Sequence, residues 1–498
     1  MFLTVFRILW FHKKAGVQNV QNPKQEKAAG LAQKKTPVLG YVFAALGFAV
    51  AVVVVYQGVK LDRIARIGAG YKAKIACSEI FVAGRDRKAV IAHEFDGMPA
   101  AMEQIKITAN MDAKTVRANA PFGLGAARAI YRDGYGCTLA NAGRITPLPE
   151  PPAAIEAQAW DEAPPVSGQA NPRIDYAALD FALTRAFEDN APNHRAVLVA
   201  VDGKIVDERY AEGFDKDTAF LSWSMGKSVT ATLVGAAVER GLIDVNDPAP
   251  VPEWEGDTQK SHISWNDLLQ MQSGLAFEEN YEKIRSEVNR MLFEKAEAGA
   301  VAARSPVEYA PGEHWSYSSG TTNLIARTLR QVLEAEGMDF YAFAHDAILS
   351  PIGASSVVME PDASGAMIGS SFVYATARDW ARLGQLYLQD GVWNGERLLP
   401  ENWNDYVATP AGASDNQYGA QFWLNLDSES RERFFPGVTE EMYFFAGHEG
   451  QYTFIIPDKR MVIVRTGMTR GQTAMKAVAP LIKEIYDAVG MPADETVN

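Results

Sequence analysis

The sequence predicts an α+β fold: an antiparallel sheet formed by chain-terminal strands, flanked by a large helical region and preceded by an N-terminal transmembrane helix. Three observations predict it. Hairpin patterns stand at both ends of the stretch 174–498, helical patterns fill its middle, and residues 38–56 form one apolar run without a charge.

The apolar run comes first. At about 1.5 Å per residue it nearly spans a hydrocarbon core of about 30 Å. Seven Lys/Arg precede it and only Glu26 opposes them, which predicts a cytoplasmic N-terminus over 1–36 and a transmembrane helix over 37–58. Lys60, Arg63 and Arg66 beyond the run weaken that asymmetry. A cleaved signal peptide is the competing reading, but the run exceeds the usual apolar core of about 7–15 residues and no A-x-A site follows closely. Residues 2–11 read as an interfacial helix or as extra sequence from an early start codon. The predicted location is the inner membrane, single-pass, with the main domain on the extracytoplasmic side.

The region 59–145 reads as a small membrane-proximal unit, with strands expected over Ala73–Val82 and Lys106–Ala109 and a helix over Gly125–Tyr131. Gly68-Ala69-Gly70 resembles part of a dinucleotide loop but lacks the strand–turn–helix setting, so it is discounted. Cys77 and Cys137 both lie beyond the apolar run. An oxidising compartment there would allow a disulfide between them, and two buried thiols is the alternative. With no C-x-x-C and no Cys/His cluster, neither a metal nor a cofactor is expected. Residues 146–173 are Pro- and Ala-rich and read as a linker or an arm laid on the surface.

The main domain, 174–498, opens with a helical pattern over Ile174–Glu188. Ala196–Val201 and Ile205–Tyr210 form a hairpin around Asp202-Gly203. A long helical pattern starts at Ser224 and stops by Gly241. Helices predominate to about residue 405. Tyr452–Ile456 and Met461–Arg465 form a second hairpin, and Gln472–Val489 a last helix.

Composition bounds the function. The 498 residues are 47% hydrophobic and 22% charged, enough to bury a sizeable core. Of the net charge of −13, residues 1–76 contribute +10, which leaves −23 on the remainder and argues against a nucleic-acid partner. Nothing points to an oligomeric state.

The residues that carry chemistry begin with Ser224-Met225-Gly226-Lys227. At helical spacing the Lys227 amine reaches the Ser224 hydroxyl. A serine alcohol needs such a base, and a lysine serves once burial lowers its pKa. The tetrapeptide alone is weak, since an N-cap serine followed by a solvent lysine reads the same way. Two further stretches strengthen it. Tyr317, in Pro311-Gly312-Glu313-His314-Trp315-Ser316-Tyr317-Ser318-Ser319, stands before a helical pattern and offers a phenol as a second proton carrier. Gly447-His448-Glu449-Gly450-Gln451 opens a strand with glycines that let a substrate approach the backbone.

This order resembles the β-lactamase-related serine hydrolase superfamily: class C β-lactamases, penicillin-binding peptidases, related esterases and 6-aminohexanoate-dimer hydrolases. Ile263–Leu269 with Ser273-Gly274-Leu275, and Ala375–Gly384, are similar to further pieces of that family, and the likeness covers roughly 175–490. It implies a β-lactamase/transpeptidase-like fold, Ser224 as nucleophile, Lys227 as proton acceptor, Tyr317 as the second acid/base group and His448 in the third motif. It also implies an oxyanion hole from the backbone N–H groups of Ser224 and Gln451, with Trp223, Ser319, Glu449 and Gly450 lining the substrate site. Two departures stand out. His448-Glu449-Gly450 replaces the frequent Lys-Thr-Gly, with Glu449 expected to repel a substrate carboxylate, and Ser319 replaces an asparagine. They turn the expectation away from β-lactams and toward a small-molecule ester or amide. The alternatives are a weak or inactive penicillin-recognition module that binds cell-wall peptides, and a true β-lactamase or DD-peptidase. Trp223, Trp254 and Trp315 are expected to shape the pocket.

Overall fold

The computed structural model describes residues 38–140, 144–160, 171–188, 192–470 and 474–492. The predicted cytoplasmic stretch 1–36, residues 161–170 of the arm and the start of the last helix at Gln472 lie outside them. The chain divides into two units, 1–57 and 58–498.

In the first unit, the helix Val38–Phe81 begins, and the apolar side chains from Tyr41 to Tyr56 are exposed. By length and hydropathy this helix can cross a membrane. It does not stop near residue 58 but runs on to Phe81 in the second unit.

That continuation corrects one expectation. Ala73–Val82 is helix, not strand. It continues the helix from Val38 as far as Phe81 and is buried on every side, Ala73, Ile75, Ala76, Cys77 and Ile80 together with Lys74, Ser78 and Glu79, so neither a strand alternation nor a single helical face marks it in the sequence. Gly125–Tyr131 is corrected the other way. Ala127–Arg132 is a strand, paired on both sides, with Ala127 and Ala129 buried and Arg128 exposed. Pairing overrides the helical propensity of its alanines. The strands Lys106–Asn110, Thr115–Asn119, Ala127–Arg132 and Gly136–Leu139 form an antiparallel meander.

Cys77 and Cys137 form a disulfide that fastens the helix to this small sheet. Beside it the buried Glu360 carboxylate accepts from Lys74 Nζ, from Ser78 Oγ at 2.8 Å and from the Cys137 backbone N–H at 2.5 Å, so residues 74–137 are tied to the stretch around Glu360. The bond closes a loop of 60 residues. Cys137→Ala is expected to lower stability by about 2–4 kcal/mol. Denaturant midpoints check this: the wild type under reductant should fall toward the variant's value.

The main sheet has six antiparallel strands in the order Trp423–Leu424, Tyr443–Gly447, Gln451–Ile456, Met461–Gly467, His194–Val201, Lys204–Tyr210. Both faces are covered, so strand residues sort by parity. Leu198, Ala200, Val462 and Val464 pack with Trp380, Leu383 and Leu386 of the helix Ala377–Leu388, and with the helix Met225–Glu239. Val197, Val199, Met461 and Ile463 pack with Leu179 and Leu183 of Tyr176–Glu188, and with Leu481 and Ile485 of Ala474–Asp487. Asp202 and Gly203 both take positive φ (53° and 74°), the geometry of a tight hairpin turn. A three-stranded sheet of Phe220–Leu221, Val373–Ala375 and Val358–Met359 leads into the residues before Ser224. Residues 144–160 have no regular element. Leu148, Ile155 and Trp160 pack on the core, and Trp160 Nε1 donates to Gly203 O at 2.7 Å.

Candidate active site

Ser224 caps the helix Met225–Glu239, so Lys227 lies one turn on and faces the same way. Gly226 fits because a Cβ there would stand 2.6 Å from Gly369 O. Lys227 is 1% exposed, and its Nζ donates to Ser224 Oγ at 3.1 Å, Ser319 Oγ at 2.8 Å and Ser370 O at 3.3 Å. Burial pushes its pKa down from 10.5 to about 8, against an upward pull from Glu279. A largely desolvated amine poised near neutrality, in hydrogen-bond contact with a serine hydroxyl, can exchange a proton with it.

Tyr317 precedes the helix Ser319–Ala335, whose N-cap Ser318 accepts from Thr321 N–H. Its ring lies under Lys227 Nζ at 4.8 Å. Burial holds its phenol pKa above the usual value, and the nearby Ser224 side chain opposes the rise. The phenol is therefore a proton donor at neutral pH. Trp423 and Tyr418 wall the ring at 5.4 and 5.7 Å.

Ser319, which stands where the resembled pattern has asparagine, joins two groups. It lies within hydrogen-bond reach of Lys227 Nζ, and its Oγ donates to Glu279 Oε1 at 2.6 Å while its N–H donates to Oε2 at 2.8 Å. Tyr281 Oη donates to the same carboxylate at 3.1 Å. Glu279 and Tyr281 had no sequence signal. They sit in an irregular stretch some forty residues before Ser319, joined to it only by folding.

The third motif meets the Ser224 turn from the sheet side. A Cβ on Gly447 would stand 2.2 Å from Ser222 O, so only glycine permits this approach. Gly450 has φ +88°, and a Cβ there would strike Arg465 Nη1. Arg465 is fully buried; its Nη1 donates to Gly450 O at 2.6 Å, and its Nε bonds His194 Nδ1 at 3.0 Å. Gln451 Nε2 donates to Gly467 O at 2.6 Å, closing the base of the loop.

His448 enters no hydrogen bond to Ser224, Lys227 or Tyr317 among the described residues. Its ring stacks on Tyr281 at 5.3 Å and meets the edge of Trp223 at 5.5 Å, and these surroundings hold its pKa below the usual value. A neutral imidazole gives the third motif no fixed positive charge. The repulsion expected of Glu449 is offset, because Arg470 Nε donates to Glu449 Oε1 at 2.9 Å. Trp223 is 4% exposed and packs behind the turn. Trp254 is a correction: it is 2% exposed, bonded to Ala303 O, and belongs to the core rather than to a pocket. Trp315 joins the aromatic wall around Tyr317.

A family model described as Beta-lactamase matches residues 193–486. The chain belongs to the beta-lactamase family. All the residues of the Ser224 site lie inside that match, and the region 58–140 lies outside it. The beta-lactamase domain is similar to the 6-aminohexanoate-dimer hydrolase of Paenarthrobacter ureafaciens, 27% identical over 271 residues, covering 52% of this chain and 62% of that protein. The chain thus spans less than two thirds of that relative's length. A solved structure of a candidate beta-lactamase from Bacteroides dorei aligns with a TM-score of 0.51 at 17% identity, covering 63% of this chain and 99% of that one. This beta-lactamase domain therefore has the family's α+β fold.

Proposed function

We propose that this chain is a membrane-anchored serine hydrolase of amide or ester bonds that works through an acyl-Ser224 intermediate. The observation that carries the reading is the buried Lys227 amine, 3.1 Å from Ser224 Oγ with its pKa near 8. In its neutral form the amine accepts the Ser224 proton while Oγ bonds to the carbonyl carbon. The tetrahedral oxyanion is held by the backbone N–H groups of Ser224 and Gln451. As the carbon–oxygen or carbon–nitrogen bond breaks, the Tyr317 phenol protonates the leaving alcohol or amine, and the Lys227 proton restores the phenol. Water then attacks the acyl ester. Its proton passes to Lys227, Ser224 regains a proton, and the acid product leaves.

A neutral His448 and an Arg470-paired Glu449 favour substrates that do not depend on a bound carboxylate. Assayed against p-nitrophenyl esters, nitrocefin, D-Ala-D-Ala peptides and aminohexanoate dimer, the protein should turn over an ester or the linear amide in preference to nitrocefin. Nitrocefin as the best substrate would reverse that assignment, and no turnover of any of them would favour a binding module.

The membrane tether is supported by the apolar run within Val38–Phe81 and by the basic residues before it. A disulfide at Cys77–Cys137 fits an oxidising compartment for the domain beyond it.

A further inference from the structure

Two non-glycine residues beside the reaction centre hold left-handed backbone: Trp223 (φ +43°), immediately before Ser224, and Glu449 (φ +60°), two residues before Gln451. Such conformations persist only where the surroundings over-determine them. At both residues the surroundings include the membrane-proximal region, which the family match does not cover.

Tyr71, on the helix Val38–Phe81, stacks on Trp223 with ring centroids 6.3 Å apart and planes 13° apart. Tyr71 is itself wedged edge-on against Phe293 at 5.3 Å and Phe95 at 6.0 Å. The helix comes this close at Gly70, in the run discounted as a nucleotide loop, where a Cβ would stand 2.4 Å from Phe293 O. At the other turn, Arg470 bonds Glu449 and also donates to the backbone carbonyls of Asp96 and, at 2.8 Å, Glu94. A cavity lies between the two contacts, lined by Tyr71, Glu79 and Glu94 on one side and Trp223, Glu449 and Gln451 on the other.

We infer that residues 58–140 are a working part of the reaction centre: they set the two turns that aim the oxyanion donors, Tyr71 through Trp223 and the 94–96 carbonyls through Arg470 and Glu449. Tyr71 and Arg470 are positioning residues. The inference rests on Ser224 being the acylated nucleophile with backbone N–H groups of Ser224 and Gln451 as donors. A truncated beta-lactamase domain lacking 58–140 would keep Ser224, Lys227 and Tyr317 and lose the aim of the donors.

The test compares full-length wild type, Tyr71→Ala, Tyr71→Phe and Arg470→Gln by the second-order rate of fluorophosphonate labelling, since the phosphonyl oxygen occupies the same donor site. Kinetics on a p-nitrophenyl ester and melting curves accompany it. Misaimed donors should slow labelling and kcat by about tenfold or more in Tyr71→Ala and Arg470→Gln, with KM nearly unchanged. Tyr71→Phe, which keeps the ring, should recover the wild-type rate. Wild-type protein that fails to label at Ser224 would remove the functional reading itself. Wild-type labelling together with an unchanged rate in folded Tyr71→Ala and Arg470→Gln would overturn the inference alone, as would Tyr71→Phe behaving like Tyr71→Ala. Should Tyr71→Ala not fold, Arg470→Gln decides.

Discussion

Ser224→Ala is expected to abolish turnover, by on the order of 10⁴-fold or more, while leaving the fold and ground-state binding largely intact. The size follows from what Oγ does. Without it no acyl intermediate forms, and water must attack directly with no base aligned to it. Lys227 still donates to Ser319 and Ser370 O in the variant, so the site does not collapse. Steady-state kinetics on the best substrate of the panel check this, with calorimetry of binding on the same protein. A residual rate within tenfold of wild type would mean that another group is the nucleophile.

The second large effect is carried by Lys227 and is visible in the pH profile. The neutral amine is the base, so kcat/KM should rise with pH, reach half its limit near about pH 8 and level off above. Lys227→Met should lose on the order of 10³-fold and the dependence with it. Glu279→Gln tests the electrostatics. Its charge raises the Lys227 pKa, so its removal should move the midpoint to lower pH, with Gln still able to accept from Ser319. A midpoint that stays or rises contradicts the assignment. The same burial has a stability consequence. A lysine pKa that falls on folding means that the unfolded chain binds more protons between about pH 8 and 10.5. Stability therefore climbs through that window, and the penalty is fully present below it. A drop from 10.5 to about 8 corresponds to about 3 kcal/mol. Inactive Lys227→Met should therefore melt higher than wild type at pH 7, by up to that amount less the hydrogen bonds it loses.

The hairpin around Asp202-Gly203 and the strands after Gln451 were legible because alternation and turn residues are local properties. The Ser224 helix and the helix behind Tyr317 were legible for the same reason. Ala73–Val82 reads as a strand because the segment is buried on every side, which leaves no helical face in the pattern and lets Ile75, Ile80 and Val82 dominate. Gly125–Tyr131 was misread because strand pairing, which is non-local, overrode alanine propensity. At the site, Ser224, Lys227 and Tyr317 could be read in order. Glu279 could not: one acid in an irregular stretch says nothing until folding brings it to Ser319. Tyr71 and Arg470 were hidden similarly, since each matters only through a neighbour with left-handed backbone. Gly68-Ala69-Gly70 is no dinucleotide loop; Gly70 serves close helix packing, which no local pattern shows.

The central claim is that Ser224 accepts an acyl group from its substrate with Lys227 as base. Intact-protein mass spectrometry with peptide mapping, after reaction with a fluorophosphonate at pH 8.5, tests it most directly. The expected result is one adduct per chain, carried by the peptide that contains Ser224, absent in Ser224→Ala and formed far more slowly in Lys227→Met. Modification of another serine, or an undiminished adduct in folded Ser224→Ala, would contradict it.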